Sequence, residues 1–209
     1  RQRHKVARDR NLPSAESDYL WVFMVAALNE EITIADAVGR LTETEATNRV
    51  ILVINDGSDD STGDILAAMN EENLHVLTRV LPHARKGKAA ALNDAYRYLL
   101  GSVLVQPRYA HWSHERVIVG VIDADGRLDP LAPNAVAWHF TSRRIGGVQA
   151  LVRIYNVRGY LTWAQDVEFS AIGRLAQMGR SWWGTANMGG NGQFNRLSAL
   201  DDVADAVGP

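Results

Sequence analysis

Asp123-Ala124-Asp125 sets two carboxylates one small residue apart, directly after the apolar run Val117–Ile122 (VIVGVI). At a strand end such a pair projects into one rim, where the two charges repel unless a cation lies between them. Hard divalent cations take oxygen ligands, and magnesium or manganese is commonly held by one or two carboxylates plus substrate phosphates. Such an ion can neutralise a diphosphate leaving group. The same residues also fit a solvated turn. A second cluster, 55–62 (NDGSDDST), follows another apolar run. Asp56 there can accept the imide N–H of a uracil, whereas Asp59, Asp60, Ser61 or Thr62 suits capping the next helix. A third, 83–88 (HARKGK), leads into Ala89-Ala90-Ala91-Leu92-Asn93. A helix N-terminus with free N–H groups and a positive dipole end suits phosphate, and Lys88 stands at that start. This is not a P-loop, because GxxxxGK[ST] is absent. A fourth, 187–196 (NMGGNGQFNR), is Gly-rich and follows Trp182 and Trp183. Glycines permit close backbone approach, and indoles stack on apolar sugar faces; a tight turn over core tryptophans is the alternative.

These clusters need elements to bring them together. Tyr19–Leu28 and Arg49–Asn55 read as buried strands, with a short strand at Leu74–Thr78 and a further buried one at Val117–Ile122. Helical patterns lie between them at Ile32–Leu41, from about Ser61 to Met69 and at Ala89–Leu100, and Asn29 is placed to cap the first. Strand and helix alternating at these lengths imply right-handed βαβ units and a mostly parallel sheet with helices on both faces. In such sheets ligands sit beyond the carboxyl ends of the strands, where Asn29-Glu30, Asp56-Gly57 and Asp123-Ala124-Asp125 all fall. Beyond Asp125 we expect a helix over Pro130–Ser142, a strand over Gly147–Tyr155, a long helix over Leu161–Met178, a loop over Arg180–Asn195 and a helix from Ser198. The polar insertion Gln106–Glu115, with Trp112 and two histidines, suggests no role.

Composition bounds the class. The chain has 209 residues, 46% hydrophobic and 22% charged, the values of a soluble globular protein. With no cysteine there is no disulfide framework, thiolate metal site or cysteine nucleophile. A net charge of -2 gives no electrostatic reason to bind nucleic acid. No apolar run has the roughly 18 residues of a spanning helix, and the N-terminus lacks the apolar stretch of a signal peptide. Residues 1–18 read as a basic tail, with Arg1, Arg3, Lys5, Arg8 and Arg10 beside His4. That pattern fits a cytoplasmic juxtamembrane segment or a solvated tail. The stop at Val207-Gly208-Pro209, soon after a helix start, reads as a domain cut short at its C-terminus.

Taken in order, these segments resemble the family 2 glycosyltransferases, the inverting type with a GT-A fold that includes the membrane synthases of cellulose, hyaluronan and poly-N-acetylglucosamine. Val25-Ala26-Ala27-Leu28-Asn29-Glu30-Glu31 resembles the family's V-P-A-Y-N-E-E, and 54–62 its D-D-G-S-x-D-x-T segment. Gly87–Asn93 resembles G-K-A-x-A-L-N, Asp123-Ala124-Asp125 the metal-binding DxD, and 190–196 the acceptor-side Gly-rich segment. The resemblance implies a GT-A fold over 19–209 and metal-dependent, inverting transfer of a hexose from a nucleotide sugar, a UDP-sugar above all, to a glycan or lipid-linked hydroxyl. It implies donor contacts at Ala27, Glu30, Asp56, Lys88 and Asp123. It implies a magnesium or manganese ion on Asp125 and Asp123, and an acceptor side at Gly190, Gly192, Gln193 and Trp183. It also implies a membrane-embedded parent whose catalytic domain faces the cytoplasm.

The departures are specific. Ala26 replaces a Pro, Leu28 the aromatic residue that stacks on uracil, and Asn55 the first acid of the D-D-G segment. Nothing after Arg196 matches the family's general-base motif, which places the base beyond Pro209; Asp201 and Asp202 read as helix-surface residues. Two alternatives remain at this point. One is a nucleotide-binding fragment without turnover. The other is a haloacid-dehalogenase-like phosphatase, whose DxDG nucleophile motif Asp123–Gly126 resembles, although three strands precede it here.

Overall fold

A computed structural model describes residues 15–152, 159, 163–164, 167, 171, 173–185 and 187–207. Its centre is a six-stranded sheet of β1 (Leu20–Ala27), β2 (Arg49–Asn55), β3 (Leu74–Thr78), β4 (Val117–Asp123), β5 (Gly147–Gln149) and β6 (Gln193–Arg196). The strand order is β3-β2-β1-β4-β6-β5. β1 pairs in parallel with both β2 and β4, and β2 with β3. β6 runs antiparallel to β4 and β5.

The strands that read as apolar runs are buried because both faces of the sheet are covered. Alternate residues of β1 feed two cores. Tyr19, Trp21, Phe23 and Val25 pack with Ile34, Val38 and Leu41 of α1 (Ile34–Thr42), Leu66 of α2 (Thr62–Ala68) and Phe140 of α4 (Ala132–Phe140). Leu20, Val22 and Met24 pack with Ala91 and Ala95 of α3 (Lys88–Tyr98) and with Leu99, Val103 and Leu197. Leu197 opens α6 (Leu197–Val207), and α5 spans Gly173–Trp182.

Several expectations are corrected. The 180–195 stretch is not all loop: α5 continues to Trp182, and Gln193–Arg196 is a strand. Phe194 is fully buried, and a Cβ on Gly120 of β4 would lie 2.8 Å from its ring, so the glycine makes room for this pairing. The strand expected over Gly147–Tyr155 stops at Gln149; Arg153–Tyr155 and most of 161–172 lie outside the described residues. Asn29 does not cap α1, which starts five residues later with Thr33 preceding it. Residues 16–18, assigned to the tail, form a 3₁₀ turn of the body, where Glu16 is buried and its carboxylate accepts from Thr47 N–H and Thr47 Oγ1. The insertion acquires a structural role: Tyr109 is buried in the second core, and Arg108 bonds Glu72 and Asn73 at the sheet edge. Asp201 is no mere surface residue, because it accepts from Tyr96 Oη at 2.6 Å and meets His114 Nδ1 at 2.7 Å.

Candidate functional site

The parallel register puts Ala27 beside Asn55, and Ala26 beside Asp123, so the carboxyl ends of β1, β2 and β4 finish at one level. β1 is the point where the chain order of the sheet reverses, and there the loops on either side part to leave a crevice. Ala27 is buried and its carbonyl accepts the Asp56 N–H at 2.9 Å. Leu28, just beyond, is 43% exposed at the rim.

The loops after β1 and β2 are sewn together by side chains. Asn29, in a left-handed conformation (φ 58), donates from Nδ2 to Asp59 Oδ1 at 2.6 Å, and its Oδ1 accepts the Asp59 N–H at 3.0 Å. Glu30 N–H donates to Thr62 Oγ1 at 2.9 Å, and Glu31 N–H to Asp60 Oδ2 at 3.1 Å. Asp59, Asp60 and Thr62 are thus structural, as expected, though they mainly tie loop to loop. Glu30 keeps its carboxylate at the rim, accepting from Thr33 Oγ1 at 2.7 Å.

Asp56 is buried, and a residue that sequence reasoning missed controls it. Arg79, directly after β3 and only 6% exposed, donates from Nη1 to Asp56 Oδ1, from Nε to Asp94 Oδ2 at 2.8 Å and from Nη2 to the His83 carbonyl at 2.6 Å. Asp56 Oδ1 also accepts the Arg85 N–H at 3.0 Å. Among the described residues Asp56 Oδ2 has no hydrogen-bond partner. One carboxylate oxygen is therefore fixed by protein and the other is left to accept. Arg85 reaches across the same loop, donating to the Gly57 carbonyl and pairing with Asp59 at 2.9 Å. The Arg85 hydrogen bond, followed by that from Asn29, holds the Asp59 carboxyl below the usual carboxylate range. The only local signal for Arg79 is a cation directly after β3; its two acidic partners, Asp56 and Asp94, lie far from it in the chain.

Lys88 is the first residue of α3, after Gly87 at φ +94. Its ammonium pairs with Asp123 Oδ1 across the crevice, and both side chains are about two-fifths exposed, 42% and 37%. Asn191, in the Gly-rich segment, faces the same place: its Oδ1 lies 3.3 Å from the Asp123 N–H. A Cβ added to Gly190 would sit 3.9 Å from Lys88 Nζ. The structure thus unites Lys88, Asp123 and the Gly190–Gly192 turn. Asp125 is exposed and lines a separate cleft of about 390 Å³ with Thr33, Asp36 and Arg127. Among the described residues no three His, Asp or Glu side chains converge on one point.

On the far side of β6, Gly192 N–H donates to the Val121 carbonyl at 2.8 Å, and the Gly192 carbonyl accepts from Ala150 N–H at 2.8 Å. Gly192 is thus a sheet connection, and Gln193 the first residue of β6, opposite Val121 and Gln149. Trp182 and Trp183 are 91% and 87% exposed, so neither is a core tryptophan.

Fold and rim define an α/β domain with a nucleotide-type crevice at the reversal point of its sheet. A sequence model described as Glycosyl transferase family 2 matches residues 22–204, and the chain belongs to that family. The phosphatase reading of Asp123–Gly126 falls with that membership. The chain is 28% identical over 183 residues to the poly-beta-1,6-N-acetyl-D-glucosamine synthase of Staphylococcus epidermidis, covering 87% of this chain and 40% of the relative. It is 32% identical over 183 residues to the beta-monoglucosyldiacylglycerol synthase of Trichormus variabilis, covering 85% and 36%. The chain therefore spans well under half the length of these curated relatives. Among solved structures, S. aureus TarS 1-349 in complex with UDP-GlcNAc superposes with a TM-score of 0.57 at 15% identity, over 88% of this chain and 47% of that one. That likeness is one of fold, and the fold is the GT-A glycosyltransferase architecture.

Proposed function

We propose that this chain is the donor-binding domain of an enzyme that transfers a hexose from a nucleotide sugar, a UDP-sugar, to the hydroxyl of a glycan or lipid-linked acceptor with inversion at the anomeric carbon. The observation that carries this reading is the half-satisfied, buried Asp56. Its open oxygen can accept a base N–H such as the uracil imide, while Arg79 holds the other oxygen in place. Ala27 and Glu30 border the nucleoside side of the crevice. Lys88 sits where the diphosphate would lie, and its present partner Asp123 marks that position as one that suits a cation. The UDP-GlcNAc bound by the structural neighbour and the sugar-polymer and glycolipid synthases among the relatives agree with this substrate class.

Asp123 and Asp125 fit a magnesium or manganese ion in their chemistry. Both are partly or fully exposed carboxylates, but Asp125 lies two residues beyond β4 and faces a cleft apart from the Lys88–Asp123 pair, so a shared ion would require the turn after β4 to bring them together. Such an ion supplies charge neutralisation for a departing diphosphate. The protein's own contribution is to hold the nucleotide on Asp56 and Lys88 and to present the sugar toward the Gly190–Gly192 turn. Gln193 and Trp183 lie on the side from which the acceptor would approach. The synthase relatives and the basic stretch of 1–18 support a place on the cytoplasmic face of a membrane.

Calorimetric titration of UDP, with and without manganese, tests the reading. We expect metal-dependent binding that Asp125→Ala abolishes and Asp56→Asn weakens by about tenfold or more. A folded chain that binds no UDP would refute the donor assignment. Binding without sugar transfer would identify a nucleotide-binding unit that lacks turnover by itself.

A further inference from the structure

A second polar cavity lies at the amino ends of the parallel strands, opposite the crevice. Tyr19 and Arg116, directly before β1 and β4, line it with Phe140, the last residue of α4, and Arg196, the last of β6. β4 is seven residues long. The cavity is therefore a strand's length, about 20 Å, from Asp123 at the other end. Its volume is about 210 Å³. Pockets for drug-sized ligands run to roughly 300–1,000 Å³, so this one suits a single small group rather than a nucleotide.

The charges of the lining do not balance. Arg196 is buried, and backbone alone holds its guanidinium. Nε donates to the Ile145 carbonyl at 3.3 Å, Nη1 to that of Glu115, and Nη2 to those of Phe140 at 2.8 Å and Ser142 at 3.2 Å. The carbonyls at the negative end of α4 orient the group. Among the described residues no carboxylate pairs with it. A guanidinium has five N–H donors, so these four bonds leave one on Nη1. Two further cations border the cavity. Arg116 lies 3.9 Å from Asp18, and Arg143 lies 3.5 Å from Glu115. All four of those side chains are exposed, and long, exposed pairs hold their partners weakly. The lining thus sets three guanidinium groups against two carboxylates. Tyr19 adds a phenol. Its ring is buried beneath Arg116, whose Cζ is 5.4 Å from the ring centre, and its hydroxyl has no hydrogen-bond partner among the described residues.

We propose that this cavity is a second anion site, one that takes a phosphate group, either free or as a small monoester. The ligand supplies the negative charge that the lining lacks. Guanidinium forks match phosphate oxygens, and charge-assisted bonds of that kind are stronger than neutral ones. Arg196 and the Tyr19 hydroxyl donate from the buried wall. Arg116 and Arg143 turn from their weak pairs onto the outer oxygens. Neither Asp56 nor Lys88 borders the cavity, so the site stands or falls independently of the donor assignment.

The test is a phosphorus NMR titration of inorganic phosphate, and in parallel methyl phosphate, with the chain at low ionic strength, read as line broadening. We expect a dissociation constant of about 1 mM or tighter. Arg116→Gln/Arg143→Gln should weaken binding by about tenfold or more, and Tyr19→Phe by about threefold. Both arginines are exposed, so circular dichroism of that variant should be unchanged. Arg196→Ala removes four bonds to backbone and is expected to unfold the chain, so the exposed pair carries the test. Lys88→Gln, in the crevice, should leave phosphate affinity unchanged. Binding that Lys88→Gln abolishes and Arg116→Gln/Arg143→Gln leaves intact would assign the phosphate to the crevice and overturn the proposal. So would binding that falls only when Arg3, Lys5, Arg8 and Arg10 are changed to Gln, or an absence of binding by the folded wild type.

Discussion

The crevice between β1, β2 and β4 and the segment that ends in α5 are held by different physics. At the crevice each loop is tied to another by side chains: Asn29 to Asp59, Glu30 to Thr62, Arg85 to Asp59, and Arg79 to Asp56 and Asp94 together. The strands beneath, β1, β2 and β4, are buried except at Ala26, Arg49 and Asp123. At α5, among the described residues, Gln177 makes two hydrogen bonds to Asn187 and no side chain is buried. The difference teaches where preorganisation lies. A nucleotide needs its recognition atoms fixed before it arrives, because ordering them on binding would cost affinity.

The sharpest way to break this contrast is Arg79→Ala. It strands a buried Asp56 without its cation, and we expect a loss of about 3–5 kcal/mol in urea unfolding together with loss of UDP binding. Stability unchanged within error would mean the crevice is no more tightly built than α5. Next comes Asn29→Ala, which removes both bonds to Asp59 and puts a Cβ residue without a local hydrogen bond at φ 58. A cost of about 1–2 kcal/mol is expected, with Asn29→Gly milder because glycine tolerates the backbone angle.

Tyr96 tests the tied body away from the crevice. Burial first, then its hydrogen bond to Asp201, pushes the phenol up to about 12 from 10.0. The folded state favours the protonated phenol, so its stabilisation is complete below pH 10 and fades as pH rises toward 12. Unfolding of the wild type and Tyr96→Phe compared across that window should show the difference shrinking with pH; a constant difference would count against the Tyr96–Asp201 bond. The smallest effect is predicted for Gln177→Ala. Loss of two exposed hydrogen bonds should change global stability by no more than about 0.5 kcal/mol. A larger loss would place α5 within the cooperative core and erase the contrast.

Much of the crevice was legible because it is written in local pattern. Continuous apolar runs named β1, β2 and β4, and the polar residues directly after them had to reach the rim of a parallel sheet. Lys88 at the start of α3 was legible from the glycine before it and the helix formers after it. Arg79 was not, because its significance depends on Asp56 and Asp94, 23 and 15 residues away, meeting at one buried point. Asn29 was misread as a cap because Asn suits both a cap and a left-handed tie, and only Asp59 across the loop decides between them. The strand β6 was misread for a similar reason. Its four residues, QFNR, lack a run of apolar side chains, and they extend because β4 and β5 offer edges on both sides and Gly120 leaves room for Phe194.

The sequence by itself determined the class of fold, the alternation of strands and helices that makes its core parallel, and the family, since burial periodicity and short motifs act within a few residues and survive without a partner. Tertiary structure alone decided which oxygen of Asp56 is free, that Lys88 faces Asp123, that Asp125 looks into a different cleft, and that the tryptophans of 182–183 stand outside the core. Those outcomes depend on pairing between residues far apart in the chain, where desolvation, charge compensation and the space left by one glycine select among arrangements that are locally equivalent.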